Sequence, residues 1–294
     1  MIVSTAEIFA LSCAVIWAVN ALILRTLAHE VAPATINAVR CGAAGVAFLL
    51  WLPFAAPLAS LAAVPWSEWG LLLLSLSSGL VIGDTLYLVA LREIGVARAM
   101  PLSGTFPLST LLFERVVLGT PLHPSLLAGS LLVGLGVVLL AWERTPAGTS
   151  KTPPVRLLRG VLCALAASLL WGLAVTLLKP ALNHLTMVQA NAVRMPIVTL
   201  LLYVFMLRPS GQPLRALSRR AWVLLIGSGL FGMGLGAYMF LSALAQIGPA
   251  KTVTLTSASP VFGVALAVLF LREKITLLAL AGAACCLAGV YAVL

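Results

Sequence analysis

The sequence predicts an all-α membrane protein whose ten transmembrane helices form two inverted five-helix repeats around a central cavity. Composition, internal repetition and the number of apolar runs lead to this prediction. Hydrophobic residues make up 62% of the 294 residues and charged residues only 9%, against roughly half and about a quarter in a soluble domain. The surface of such a chain cannot face mainly water, so we expect it to lie in a lipid bilayer.

An internal repetition organises the chain. The residues Asn37-Ala38-Val39-Arg40 recur as Asn191-Ala192-Val193-Arg194, a shift of 154 residues (37 to 191) that also carries Trp17 onto Trp171. After one change of register, a shift of 153 (79 to 232) relates further landmarks in the same order: Gly79 to Gly232, Gly83 to Gly236, Pro107 to Pro260, Gly129 to Gly282 and Gly136 to Gly289. Repetition over the whole length indicates a duplicated unit.

Each unit contains five apolar runs, and most are close to the ~20 residues that a helix needs to cross a bilayer. The runs cover about 5–28, 34–52, 69–91, 96–118, 123–142, 158–178, 187–207, 221–246, 250–271 and 276–294. We therefore expect a first repeat over 1–142 and a second over 158–294. A polar, proline-containing linker over 143–157 would join them.

An odd number of helices per repeat makes the second repeat enter the membrane from the opposite side. With alternating sides, thirteen basic residues near helix ends fall on one side, and Arg115, Lys179 and Lys251 fall on the other. Basic residues accumulate on the cytoplasmic side of membrane proteins. This distribution predicts a multi-pass protein of the cell (inner) membrane with both termini extracytoplasmic. Inverted repeats around a midplane site are typical of secondary transporters.

The sequence resembles the EamA-like transporters of the drug/metabolite transporter superfamily over essentially its whole length. The resemblance is carried by the tryptophan at the centre of each first helix, the arginine of each second helix, the proline of each fourth helix and the Leu271-Arg272-Glu273-Lys274 exit of the ninth helix. Thr120 stands where the family pattern usually has a second glutamate. The resemblance implies a ten-helix basket around a cavity and export of amino acids or similar small metabolites.

The fourth and ninth helices carry matching polar stripes. Ser103, Phe106 and Thr110 follow helical spacing, and their repeat partners are Thr256, Ser259 and Gly263. These hydroxyls either line a cavity or bond back to their own helix. Because proline removes a backbone donor, Pro107 and Pro260 predict breaks in these helices and backbone carbonyls available to a neighbour or a substrate.

Ionisable residues inside the spans are candidates for function because they are costly to bury in lipid. Arg40 and Arg194 are interpreted as gating or substrate-binding residues, or as structural groups that cap neighbouring carbonyls. We expect one of them to be packed and the other to lie nearer to solvent. Asp84 has Ala237 as its repeat partner, so an acid there suits substrate recognition or proton coupling, with a salt bridge to Arg40 or Lys251 as the alternative. Glu114 is also intramembrane.

Further candidates for substrate binding are aromatic and amide side chains near mid-span: Trp17, Asn20, Tyr87, Trp171 and Tyr238. Aromatic residues at mid-span more often contribute to packing. We expect these five residues, with Asp84, Ser103 and Thr256, to surround a small-molecule substrate. Protons are a candidate coupling ion.

Other classes of function find little support. The histidines and cysteines show no metal-ligand spacing, and the sequence has no nucleophile elbow and no phosphate-binding loop. We expect no enzyme activity, no metal and no cofactor, and no nucleic acid among the partners. The expected assembly is a monomer or a weak homodimer in the bilayer. A channel or a scaffold without carrier activity remains the alternative to a transporter.

Overall fold

The computed structural model is all-helical and describes residues 3–27, 30–94, 96–143, 153–207, 214, 217–271 and 276–294. The linker residues 144–152 and the charged exit 272–275 lie outside the described residues. Within the described part, the predicted ten spans are confirmed. Six of the helices are long and apolar enough to cross a membrane, and two shorter apolar helices cover Pro124–Leu140 and Leu277–Val293.

The first repeat contains five spans and a short 3₁₀ helix, Leu58–Ala63, between the second and third spans. Its spans are α1 (Thr5–Arg25), α2 (Pro33–Ala55), α3 (Trp66–Leu76, Ser77–Gly83 and Asp84–Ile94), α4 (Val96–Ser103 and Phe106–Val117) and α5 (Pro124–Glu143). The Ser4 side chain caps α1 in a reciprocal capping box with Glu7.

The second repeat follows the same plan. Its spans are α6 (Pro154–Ala181), α7 (Met187–Leu202, continued by Tyr203–Leu207), α8 (Arg219–Ser228, Gly229–Leu235 and Gly236–Ile247), α9 (Pro249–Thr256 and Ser259–Leu271) and α10 (Leu277–Val293). The start of α6 at Pro154 is earlier than the apolar pattern predicts, because proline fits the first turn of a helix.

Equivalent helices of the two repeats pack antiparallel, as an inverted duplication requires. On α2 and α7, Gly42 lies against Thr199 and Gly45 against Pro196, so residue numbers rise on one helix as they fall on the other. On α5 and α10, Gly129 lies against Gly289 and Gly136 against Gly282. A β-carbon at Gly136 would lie 2.5 Å from the Gly282 carbonyl oxygen, so glycine permits this close approach.

The predicted breaks occur in both polar helices. In α4 the helix stops at Ser103 and resumes at Phe106, and in α9 it stops at Thr256 and resumes at Ser259. In each case a proline, Pro107 or Pro260, occupies the first turn of the second segment. The proline cannot donate to the carbonyl four residues earlier, which ends the preceding segment.

The third and eighth spans contain an unpredicted irregularity. Ser77–Gly83 in α3 and Gly229–Leu235 in α8 are π-helical, at repeat-equivalent positions within one residue. The segment in α3 contains Gly79 and Gly83, and the segment in α8 contains Gly232 and adjoins Gly236, the repeat-equivalent glycines. A β-carbon at Gly79 would lie 2.7 Å from the Ala174 β-carbon, and one at Gly236 would lie 2.9 Å from Trp17 Nε1. These glycines therefore allow close packing of α3 and α8 on their neighbouring helices.

Candidate functional site

A cavity of about 180 Å³ lies where the broken helices of the two repeats meet. Helices α3, α4, α5, α6 and α9 contribute to its wall, so the cavity belongs to both repeats. The lining residues are Tyr87, Ser103, Gly104, Phe106, Val137, Trp171, Ser257, Ser259 and Pro260. Four of the sequence candidates, Tyr87, Ser103, Trp171 and Pro260, are among them.

Trp171 is the central aromatic residue of this cavity. Its ring lies 5.3 Å from the Tyr87 ring and 6.0 Å from the Phe106 ring, measured between centroids. The indole of Trp171 also packs closely on Gly83 of α3, where a β-carbon would approach within about 3.0 Å. The glycine therefore lets a tryptophan of the second repeat reach into the first repeat.

Asp84 contacts the lining residue Trp171 but is not itself among the lining residues. Trp171 Nε1 donates a hydrogen bond of 2.8 Å to Asp84 Oδ1, which orients both side chains. Among the described residues no cation lies within 4.0 Å of the Asp84 carboxylate. The salt bridge to Lys251 considered from the sequence is wrong, because Lys251 Nζ pairs with Glu7 Oε1 at 2.5 Å.

Hydroxyl groups surround the break in α4. Ser168 Oγ of α6 lies 2.9 Å from Thr105 Oγ1 and 3.0 Å from Ser109 Oγ, so the three hydroxyls form one hydrogen-bonded group. At the break in α9, Ser257 Oγ is buried and has no partner among the residues that the structure describes. A buried hydroxyl without a partner is costly, and Ser257 is one of the lining residues of the cavity.

Trp17, the repeat equivalent of Trp171, lies outside this cavity and has a similar set of neighbours. The Trp17 ring lies 5.5 Å from the ring of Phe240, which is the repeat equivalent of Tyr87. Trp17 Nε1 donates to the Gly232 carbonyl at 3.3 Å, inside the π segment of α8. Asn20 is buried against Gly232, and its Oδ1 has no described hydrogen-bond partner.

Two other sequence candidates lie away from the cavity lining. Tyr238 packs on Trp51, with ring centroids 5.4 Å apart. Thr256 is buried, and its hydroxyl donates back to the carbonyls of Thr252 and Val253, at 3.0 and 3.1 Å. This is the local bonding that the sequence analysis left open for such hydroxyls.

The two repeated arginines are both buried, contrary to the expectation that one lies nearer to solvent. Arg40 is 5% exposed and Arg194 is 8% exposed. Arg40 Nη1 makes a long contact of 3.5 Å with Asn37 Oδ1, and the Nε atom of each arginine has no partner among the described residues. Equivalent helices in one packed bundle enclose them equally, so inversion of the repeats does not by itself expose either one.

Glu114 has a structural contact that the sequence did not reveal. Its Oε2 accepts a hydrogen bond of 2.7 Å from the backbone N–H of Ala250, in the first turn of α9. At the same end of the bundle, Lys179 donates to the Ala245 carbonyl and Lys251 pairs with Glu7. The contacts of Glu114 with Ala250 and of Lys251 with Glu7 join the two repeats at this end of the bundle.

A second cavity lies on the outside of the bundle. It has a volume of about 800 Å³ and lies between α2, α7 and α8, with a lining that includes Val46, Leu50, Leu200 and Leu230. These side chains are exposed on the outside of the bundle. An apolar groove on a membrane span is suited to lipid chains, so we do not assign substrate binding to it.

Comparisons with known proteins agree with this architecture. The model of the EamA-like transporter family matches residues 4–142 and 158–294. An uncharacterized transporter from Archaeoglobus fulgidus is 26% identical over 277 residues, which cover 94% of this chain and 92% of that protein. A crystal structure with 20% sequence identity superposes with a TM-score of 0.81 over 99% of this chain and 97% of that chain, and at this identity the likeness supports the fold alone. The chain therefore belongs to the EamA-like transporter family and is a multi-pass membrane transporter rather than an enzyme.

Proposed function

We propose that this transporter is a secondary carrier that exports amino acids or similarly small polar metabolites by alternating access. The main support for this proposal is the cavity between the broken helices α4 and α9, one from each repeat. Its volume of about 180 Å³ is below the roughly 300–1,000 Å³ of sites for drug-sized ligands. This small volume favours a small solute.

The polar groups of the cavity suit a solute that has a cationic and a hydrogen-bonding part. Asp84 is not a lining residue, but it accepts a hydrogen bond from the lining residue Trp171 and provides a negative charge for an ammonium group or a proton. Ser103 and Ser257 provide hydroxyls at the two breaks, and Tyr87 and Trp171 provide aromatic faces that attract a cation. Pro107 and Pro260 maintain the breaks, where half-helix ends bring partial charges to the cavity.

In alternating access, the two inverted repeats exchange conformations during the transport cycle. The candidate residues that do not line the present cavity would then act in the opposite conformation. Trp17 and Phe240 are the repeat equivalents of Trp171 and Tyr87. In this conformation their rings pack on each other and do not line the cavity. When the repeats rock, the Trp17 side with Asn20, Tyr238 and Thr256 becomes the one that opens. Arg40 and Arg194 act as gating groups at equivalent positions in the two halves of this movement.

We also propose that the protein lies in the cell (inner) membrane with both termini extracytoplasmic. The outer side would then carry Arg115, Lys179 and Lys251. It would also be the side on which Glu114 contacts Ala250 and Lys251 contacts Glu7. The cavity would open towards the cytoplasm from this conformation, which is where an exporter loads its substrate.

Counterflow in proteoliposomes tests carrier activity. Vesicles that contain the purified protein and are loaded with an unlabelled amino acid should accumulate the same labelled amino acid transiently from dilute external solution. Only a carrier that alternates between two faces produces such exchange. A flux that rises linearly with concentration without saturation would indicate a channel, and a panel of amino acids, sugars and nucleosides would identify the substrate class.

A further inference from the structure

A groove of about 560 Å³ lies between the end of α1 and the start of α8. Its walls are formed by two residues of α1 and its C-cap and by four residues of α8: Ile23, Thr26, Arg219, Arg220, Val223 and Leu224. The groove shares no lining residue with the cavity at the broken helices. The proposed carrier mechanism gives it no role.

Both walls of the groove change from polar to apolar in the same direction. On α1, Ile23 lies about one turn deeper in the span than Thr26. On α8, Val223 and Leu224 lie about one turn deeper than the two arginines. One turn of helix is about 5.4 Å, so an apolar wall follows the cationic rim within a short distance. A free anion would use only the rim, whereas a phospholipid would use the rim for its phosphate and the wall for its acyl chains.

The two arginines of the rim have no protein partner within the described part of the chain. The side chains of Arg219 and Arg220 are exposed and form no ion pair with a described residue. Glu30, in the loop after α1, is also exposed and pairs with neither of them. In the sequence, the segment 208–220 contains four arginines and no acid. Because the first turn of a helix favours a negative charge, the stability of α8 does not account for two cations there.

The first repeat has no such rim at the equivalent place. The repeat equivalents of the two arginines are Trp66 and Ser67, at the start of α3. The next residue, Glu68, is buried and accepts a hydrogen bond of 3.1 Å from the backbone N–H of His184, in the loop after α6. The duplicated fold therefore does not require arginines in this groove, and they are a property of one end of the bundle.

We propose that the groove binds an anionic phospholipid of the surrounding bilayer. Its phosphate lies at Arg219 and Arg220, because guanidinium groups donate several hydrogen bonds to phosphate oxygens. The first carbons of its acyl chains lie against the apolar wall, where Val223 is 63% exposed. Basic pockets between transmembrane helices are suited to anionic headgroups. This inference goes beyond the proposed function, because it concerns the outer surface of the bundle and not the solute that is carried.

Native mass spectrometry of the protein, released from an uncharged detergent, tests the site without a transport assay. Phosphatidylglycerol and phosphatidylcholine with the same acyl chains are added in separate titrations, and the bound lipid molecules are counted. Since each basic residue near a membrane surface strengthens binding of an anionic lipid about fivefold, the wild type should bind one phosphatidylglycerol about 25-fold more tightly than phosphatidylcholine. Phosphatidylglycerol should also raise the unfolding temperature in a saturable manner, because a ligand of the folded state stabilises it.

The double variant Arg219→Gln/Arg220→Gln should lose this preference and bind the two lipids with similar affinity. Each single variant should lose about fivefold, and the single variants decide the question if the double variant does not fold. Arg156→Gln/Arg159→Gln is the matched control. These two arginines are exposed at the start of α6, on the same proposed side of the membrane, and pair with Glu93 outside the groove. The control should keep the preference of the wild type.

Three results would overturn the proposal. Equal affinity of the wild type for both lipids would show that the groove does not recognise an anionic headgroup. An equal loss of preference in both double variants would show that any exposed arginine pair suffices. A saturable increase of the unfolding temperature with inorganic phosphate alone, as large as that with phosphatidylglycerol, would assign the rim to a free anion and not to a lipid.

Discussion

The indole nitrogen of Trp171 donates a hydrogen bond to Asp84 across the boundary between the two repeats, at 2.8 Å. The acceptor has no equivalent in the other half of the molecule, where Trp17 donates to a backbone carbonyl at 3.3 Å. Two tryptophans at the same position of a duplicated unit therefore have different partners. The carboxylate acceptor is therefore found on the Trp171 side and a neutral backbone acceptor on the Trp17 side.

Replacing each tryptophan by phenylalanine tests this difference. A hydrogen bond to a charged group contributes roughly 1.5–3 kcal/mol and a neutral one about 1 kcal/mol, so Trp171→Phe should destabilise the protein more than Trp17→Phe. Thermal unfolding of the two variants measures the order, and counterflow should fall more in Trp171→Phe. Equal losses of stability and of transport in both variants would contradict an individual role for the Asp84 contact.

Asp84→Asn separates charge from hydrogen bonding at the same site. The asparagine oxygen can still accept from Trp171, so the unfolding temperature should change little. Loss of a charged contact worth roughly 1.5–3 kcal/mol should weaken binding of a cationic solute by about tenfold to a hundredfold. Glu93→Gln is the control, because Glu93 pairs with the exposed Arg156 and Arg159. Unchanged transport in Asp84→Asn would exclude Asp84 from substrate binding and from proton coupling.

Glu114 is expected to hold the start of α9 in place. Glu114→Ala removes the acceptor for the Ala250 N–H, and loss of a helix cap costs about 1–2 kcal/mol. Glu114→Gln should keep most of the stability, because its side-chain oxygen can accept the same hydrogen bond. Unfolding temperatures of the two variants provide the measurement. If Ala and Gln destabilise equally, the charge and not the cap is important.

The contact between α5 and α10 predicts opposite effects for two glycines on one helix. A β-carbon at Gly136 would lie 2.4 Å from Cys286 Sγ and 2.5 Å from the Gly282 carbonyl, whereas one at Gly134 would meet no atom within 4 Å. Gly136→Ala should cost about 1–3 kcal/mol through overpacking. Gly134→Ala should be neutral or stabilise by up to about 1 kcal/mol. A similar unfolding temperature for both variants would show that this packing is wrong.

The proposed orientation is tested by reporters. A fusion after Leu294 should behave as extracytoplasmic and an insertion near Lys151 as cytoplasmic, because basic residues are retained on the cytoplasmic side. Alkaline phosphatase and a fluorescent protein that is dark when exported give opposite signals at each position. An intracellular signal at Leu294 would reverse the orientation and leave the inverted relation of the repeats intact.

Much of the architecture was accessible from the sequence because it rests on patterns that repeat. Apolar runs predict spans, an odd count of five predicts inversion, and the prolines of α4 and α9 predict breaks. The sequence could not show which member of an equivalent pair lines the cavity. Trp171 and Trp17 are the same residue type at equivalent positions. The conformation of the whole bundle decides that Trp171 lines the cavity and that Trp17 is packed.

Contacts between distant side chains were also beyond the sequence. The capping of α9 by Glu114 depends on where α4 ends relative to the loop before α9. The partner of Lys251 is Glu7 and not Asp84, because the start of α1 lies at the same end of the bundle as the start of α9. The burial of both arginines likewise follows from tight packing of α2 on α7, which residue type and spacing do not reveal.

The π segments of α3 and α8 give information about how the molecule arose. A π turn is an α-helix with one additional residue in a turn, and such a residue enters a gene as a single codon insertion. Because Ser77–Gly83 and Gly229–Leu235 occupy matching places in the two copies, one insertion in the ancestral gene explains both.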